Sequence, residues 1–222
     1  MSRLRLRSYP GPRFARGCLI AWTVVMSATL AARDGAASYV VPKDPGWPCI
    51  QRLVPKISAG MMWAGPPVEK LGDAWRENER IRGLAEKLAA RRTQMEDAKA
   101  AIKAFASNLG QDKDRKLSLL FVGALALINT ERADIISGIR RYSERQHGLA
   151  ERIEGRAAEI QQIPADGNEK QRAKRSELEE QQYWDARIFE ERQKSLTYIC
   201  EQPVLLEQRA FALAREIMAY LE

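Results

Sequence analysis

Every seventh residue from Ile81 onward is apolar: Ile81, Leu88, Met95, Ile102 and Leu109 keep that spacing without a slip. Leu84, Ala98 and Phe105 fill the interleaved positions three residues later, and Arg91 is the exception. Seven residues make two helical turns, so the pattern draws one apolar seam along a helix. It predicts packing of the coiled-coil type against other helices. Pro66 and Pro67 suit the start of such a helix, because the first turn needs no N–H from them and their φ is already helical. Gly110 suits its end. Leu71 and Trp75 stand one position off the frame, so the first turns should pack against something else.

Two more seams follow. Ile128, Ile135, Tyr142, Leu149 and Ile163 share one frame, with Ile139, Ile153 and Ile160 in its second set; Arg132, Gln146 and Arg156 interrupt it. Asp112 or Asp114 is placed to cap this second helix with a carboxylate. From Leu117 to Ile128 only Ser118 is polar. A stretch apolar on nearly all sides should be the most enclosed part of the molecule. The alternative is an exposed contact patch. Pro164 and the run Asp166, Gly167, Asn168 then end one helix and begin another, with Asn168 as the N-cap. The third seam reads Leu178, Phe189, Leu196, Ile199, Leu206, Ala210, Leu213, Ile217 and Tyr220. Asp185 and Arg192 weaken it before Leu196, and Pro203 should bend the helix without breaking its frame.

The expected fold is therefore all-α: an elongated antiparallel three-helix bundle with coiled-coil-like packing. Its helices should cover about 67–109, 113–163 and 169–222, and short connections force neighbours to run antiparallel. Residues 38–66, rich in Pro and Gly and containing Trp47 and Trp63, form an irregular arm ahead of the bundle.

The chain carries a formal charge of +7, from 36 Lys and Arg against 29 Asp and Glu. Six of those bases (Arg3, Arg5, Arg7, Arg13, Arg16, Arg33) and one acid (Asp34) precede Ser38, which leaves 30 against 28, a net of +2. Signs alternate in what remains, as in Glu77 to Arg82, so a basic face for phosphates is missing and nucleic acid is not an expected partner. The early bases precede an uncharged apolar span, Cys18 to Ala32, and Gly35, Ala36 and Ala37 follow. This is the layout of a secretory signal peptide over 1–37. The span of 15 residues before Arg33 is shorter than the roughly 20 that cross a bilayer. Cleavage after Ala37 is expected, leaving a periplasmic or secreted protein with no transmembrane segment.

Cys49 and Cys200 survive that cleavage. Two thiols in an oxidising compartment should form one disulfide, closing a loop that staples the arm to the third helix. The arm also holds Trp47, Met61, Met62 and Trp63. Tryptophans in so polar a chain seek cover, and tethered aromatics on a rigid scaffold offer the alternative of a partner-contact surface. Adjacent Met61 and Met62 raise a weak case for a soft metal ion.

Catalytic and metal-binding patterns are missing. His147 is the lone histidine. It completes a Glu-x-x-His spacing with Glu144, but a di-iron bundle needs two such motifs. It lies off the seam, toward solvent, and without triad spacing. Glu179–Glu180 and Glu190–Glu191 diverge around a helix, and no phosphate-binding glycine loop is present. Arg140, Arg141, Arg145, Arg152 and Arg156 share one side of the second helix; interleaved Glu144, Glu151 and Glu154 make it a salt-bridged face, the alternative being contact with acidic lipid or glycan at a membrane surface. No catalytic residue, cofactor or metal ligand is assigned. The expected role is non-enzymatic: an exported accessory, scaffold or adaptor that contacts an envelope protein, with homo-oligomers possible through the heptad seams. The alternatives are a periplasmic small-ligand or metal-handling protein and a holdase-type chaperone using the 117–128 stretch.

Overall fold

A computed structural model describes residues Gly46–Glu222. The 1–37 leader and the start of the arm lie outside the described residues. The fold is all-helical, with four α-helices and no strand among the described residues: α1 Glu79–Ala89, α2 Met95–Ser107, α3 Lys113–Gln162 and α4 Glu169–Met218. Two short 3-10 turns, Ala59–Met61 and Ala74–Glu77, precede them. At 50 residues each, α3 and α4 run for about 75 Å. They pack against each other antiparallel, and α1 adds to the N-terminal half of α3.

The long helices begin and end close to where periodicity puts them. Asn168 caps α4 in a reciprocal box: its side chain accepts from the Gln171 N–H, and Gln171 accepts from the Asn168 N–H. Pro203 sits inside α4, which continues as one helix to Met218. The other caps differ from expectation. Asp112 holds the N-cap place of α3 at φ 65° with no side-chain bond, and the Asp114 carboxylate accepts instead from the Glu222 N–H. Asn108, not Gly110, follows the last turn of α2, its amide donating back to the Ala104 carbonyl at 2.7 Å.

The first expected helix, 67–109, is instead two helices. Pro66 and Pro67 open no α-helix: turns over 69–73 follow, with Gly72 at φ +48°. That left-handed turn, which glycine adopts without strain, delivers Trp75 inward. Asn78 then caps α1, its side chain accepting from the Ile81 N–H. Helix α1 stops at Ala90, whose ψ of 123° leaves the helical region, and α2 starts at Met95. The break falls at the seam's one charged residue. Continuing the helix would bury the Arg91 guanidinium in an apolar seam, which is costly without a partner. Outside the helix, Arg91 donates to the Gln202 side chain and lies 3.7 Å from Glu131. Arg209 donates to the Leu88 carbonyl at 2.7 Å, satisfying the last turn of α1. The seam survives the break: Ile81 and Leu88 on α1, and Ala98, Ile102 and Phe105 on α2, are all buried.

The core sits where these pieces meet α3. Of Leu117–Ile128, nine residues are buried and none is exposed, so this stretch lies in the interior and is not a contact patch. Trp75, off the heptad frame, is 1% exposed and fills the space beside Gly123. A Cβ on Gly123 would come within 2.8 Å of the indole and 3.1 Å of Ala85. Glycine is therefore required there by close packing. Beyond Leu149 only α4 runs beside α3 among the described residues, and the buried set thins to Leu149 and Ile160 on α3 and Leu178 on α4.

Candidate functional site

The arm from Trp47 to Met62 lies along α3 and α4, running with α4 and against α3. Cys49 and Cys200 sit at disulfide distance, 2.02 Å between sulfurs and 5.6 Å between Cα atoms, both buried. They share a small cluster with Trp47, Ile136 and Ile139. One turn further, the Arg132 guanidinium donates to the Val54 carbonyl at 3.1 Å and lies 3.7 Å from Glu207. Burial pushes the Arg132 pKa below its ordinary value, and Glu207 opposes that shift. Another turn on, Asn129 meets the Ile57 backbone twice at 3.0 Å, accepting from its N–H and donating to its carbonyl. Trp63 then stacks on Phe121, with ring centroids 4.2 Å apart and planes 6° from parallel.

The irregular backbone of the arm explains this set of contacts. A segment without a ladder of its own must find partners for buried N–H and C=O groups elsewhere. Asn129 and Arg132 supply them, three residues apart on one face of α3. Arg132, an interruption of the apolar seam in the sequence, is thus the residue that holds the arm. Asn129 follows the apolar run directly. A polar pair at that spacing, just past an otherwise apolar stretch, is the signal that could have pointed to a bound backbone.

The four aromatic and Met residues of the arm divide. Trp47 and Met62 are buried, Trp63 is half-buried against the core, and Met61 is exposed. They do not form one outward surface. The Trp47 and Trp63 indoles donate to the Gln51 and Pro66 carbonyls at 2.7 and 2.8 Å. His147 is exposed and lies 3.3 Å from Glu151. The interrupting polar residues of the second seam pair across to α4: Gln146 donates to the Phe189 carbonyl at 3.2 Å, and Arg156 reaches Asp185 at 2.6 Å.

Exposed apolar side chains gather elsewhere. On α4, Trp184, Tyr198 and Leu205 are 52%, 68% and 50% exposed, and Ile188 is 42% exposed. Tyr183 stands edge-on to Trp184 at 5.4 Å. Trp184, Glu191, Tyr198 and Leu205 recur every seven residues, one position before the seam frame of Asp185, Arg192, Ile199 and Leu206, of which Leu206 is buried and Arg192 exposed. Sequence reasoning that sought one seam per helix passed over this second line. Lys194 bonds Glu191 at 2.9 Å on the same flank and holds its carboxyl below the usual carboxylate range.

Concave features are small or shallow. An enclosed cavity of 30 Å³ lies between the arm and α4, lined by Trp47, Gln51, Arg132 and Glu207 among others. That admits about a water molecule, far below the roughly 300 Å³ of a small-molecule site. No cluster of three or more His, Cys, Asp or Glu side chains suited to a metal occurs among the described residues. No described helix is long and apolar enough to cross a membrane. No family model, curated protein or solved structure matches the chain.

Proposed function

We propose that this is an exported, non-enzymatic helical protein that works by protein contact, as an accessory, scaffold or adaptor of the cell envelope. The contact reading is carried by the exposed line of Trp184, Ile188, Tyr198 and Leu205 on α4. Aromatic side chains held on a rigid helix are the anchors around which protein interfaces form. Export is supported by the basic and apolar leader of the sequence and by Cys49 and Cys200 at bonding distance, since such pairs persist in oxidising compartments.

The stretch 117–128 is buried, which leaves a holdase reading without its apolar surface. For a small ligand, the described residues offer the 30 Å³ cavity beside the arm and open, unenclosed surface grooves of 270–470 Å³. Two measurements on protein recovered from its own compartment test the proposal. N-terminal sequencing should start at Ser38, and alkylation without reductant should modify neither Cys49 nor Cys200. Native mass spectrometry should then show no metal or small molecule. A start at Met1 with free thiols contradicts export, and a ligand at full occupancy contradicts the contact role.

A further inference from the structure

The covering of α4 stops partway along one flank. Gln202 is buried beneath Arg91, and Arg209 in the next two turns holds the end of α1. Continuing toward the N-terminus of α4, the same flank carries Tyr198, Ile188 and Trp184 in the open, with Leu205 at the boundary. Among the described residues, the line where the α1–α2 connection lies at Gln202 carries no cover over the preceding five turns. A seven-residue line of exposed side chains, apolar at Trp184, Tyr198 and Leu205 and charged at Glu191, fits a helix laid alongside, because that period keeps them in line over such a length.

We propose that the α4 flank from Trp184 to Leu205 pairs with the same flank of a second copy of this chain, antiparallel about a two-fold axis. The order of charges on the flank favours self-pairing in that sense. It reads Arg187, Glu191, Lys194, Glu201. With the axis between Glu191 and Lys194, each Glu191 faces Lys194 of the other copy, and each Arg187 faces a Tyr198 ring, a cation–π geometry. Trp184 then faces Glu201 between Tyr198 and Leu205, the exposed side of the flank next to the covered Gln202. Parallel pairing instead sets Glu191 on Glu191 and Lys194 on Lys194.

The size agrees. The 22 residues from Trp184 to Leu205 span about 33 Å. The exposed apolar parts of Trp184, Ile188, Tyr198 and Leu205, with Tyr183 beside Trp184 and the stems of the flanking charged residues, offer roughly 500–800 Å² per copy, against the ~800 Å² of a standard interface. A two-fold contact of this kind also closes on itself and leaves no open end for further growth. This pairing is independent of where the protein resides, so it stands or falls separately from the export reading.

Sedimentation equilibrium on the full chain, as its own cell processes it, tests the pairing. The native protein should sediment as a dimer in the micromolar range. Trp184→Glu and Tyr198→Glu should each weaken dimerisation by about thirtyfold or more, the loss expected for an anchoring aromatic. Both positions are solvent-exposed, so circular dichroism should show unchanged helix content. Glu191→Lys should weaken the dimer, and adding Lys194→Glu to it should restore the native constant. A chain that stays monomeric at all concentrations overturns the proposal in favour of a different partner. A dimer indifferent to Trp184→Glu and Tyr198→Glu overturns the site, and failure of the charge swap to restore it overturns the antiparallel register.

Discussion

Around Leu117–Ile128, α3 is covered by α4, by α1 and by the arm, with α2 packed on α1 and α4, and nine of the twelve residues are buried. Beyond Leu149 the same helix has only α4 beside it among the described residues, and of α4 before Cys200 only Leu178 is buried among them. Both regions carry the same seven-residue period. The period thus specifies which stripe of a helix seeks cover, but the number of layers that arrive to cover it is set elsewhere. In the first region Trp75 and the arm supply the extra layer. In the second, polar rungs such as Arg156–Asp185 and Gln146 to the Phe189 carbonyl hold two helices in register.

Cutting the arm loose should show the largest effect. Cys49 and Cys200 are 151 residues apart, and closing a loop of that length constrains the unfolded chain by about 5 kcal/mol in the entropic model. Replacing both with Ser should lower the urea midpoint severely; a loss of less than about 1 kcal/mol would remove the staple from the account. Core truncations come next and separate the two regions. Trp75→Ala and Leu120→Ala should each cost about 3–5 kcal/mol, because a site enclosed on all sides cannot collapse around the void. Leu178→Ala should fall near the low end, about 2 kcal/mol, because its two-helix surroundings relax. Equal costs would erase the distinction between the regions.

Asn129→Leu should cost about 2–4 kcal/mol, since it strands the buried N–H and carbonyl of Ile57. The smallest effect belongs to the distal rungs. Asp185 and Arg156 keep 22% and 19% of their side-chain surface in solvent, so Asp185→Ala should cost about 0.5–1 kcal/mol and less in high salt. Thermal unfolding of each variant in low and high salt measures both.

Much of this arrangement was legible in the residues, for identifiable reasons. Apolar period and turn chemistry are local, so α3 and α4 fell within a few residues of their expected bounds, with Asn168 capping as predicted. The burial of 117–128 followed from its lack of a polar face. The break in the first helix did not follow. It is settled by Arg209 reaching the Leu88 carbonyl and Arg91 reaching Gln202, contacts over more than a hundred residues of chain. The grip of Asn129 and Arg132 on the arm was equally hidden, because a polar residue in a seam reads as a defect until its partner is placed. On α4, the outer line of Trp184, Tyr198 and Leu205 runs one residue before the heptad seam and was masked by it.

Helix α4 is a core helix over its C-terminal part and exposes Trp184, Ile188 and Tyr198 over the part before it. Hydrogen exchange along α4, at concentrations low enough to keep copies apart, tests this most directly. Amides from Val204 to Ile217 should exchange only on global unfolding. Those from Gln181 to Ser195 should exchange at least about a hundredfold faster, through local opening. Uniform protection from Glu169 to Met218 would contradict it.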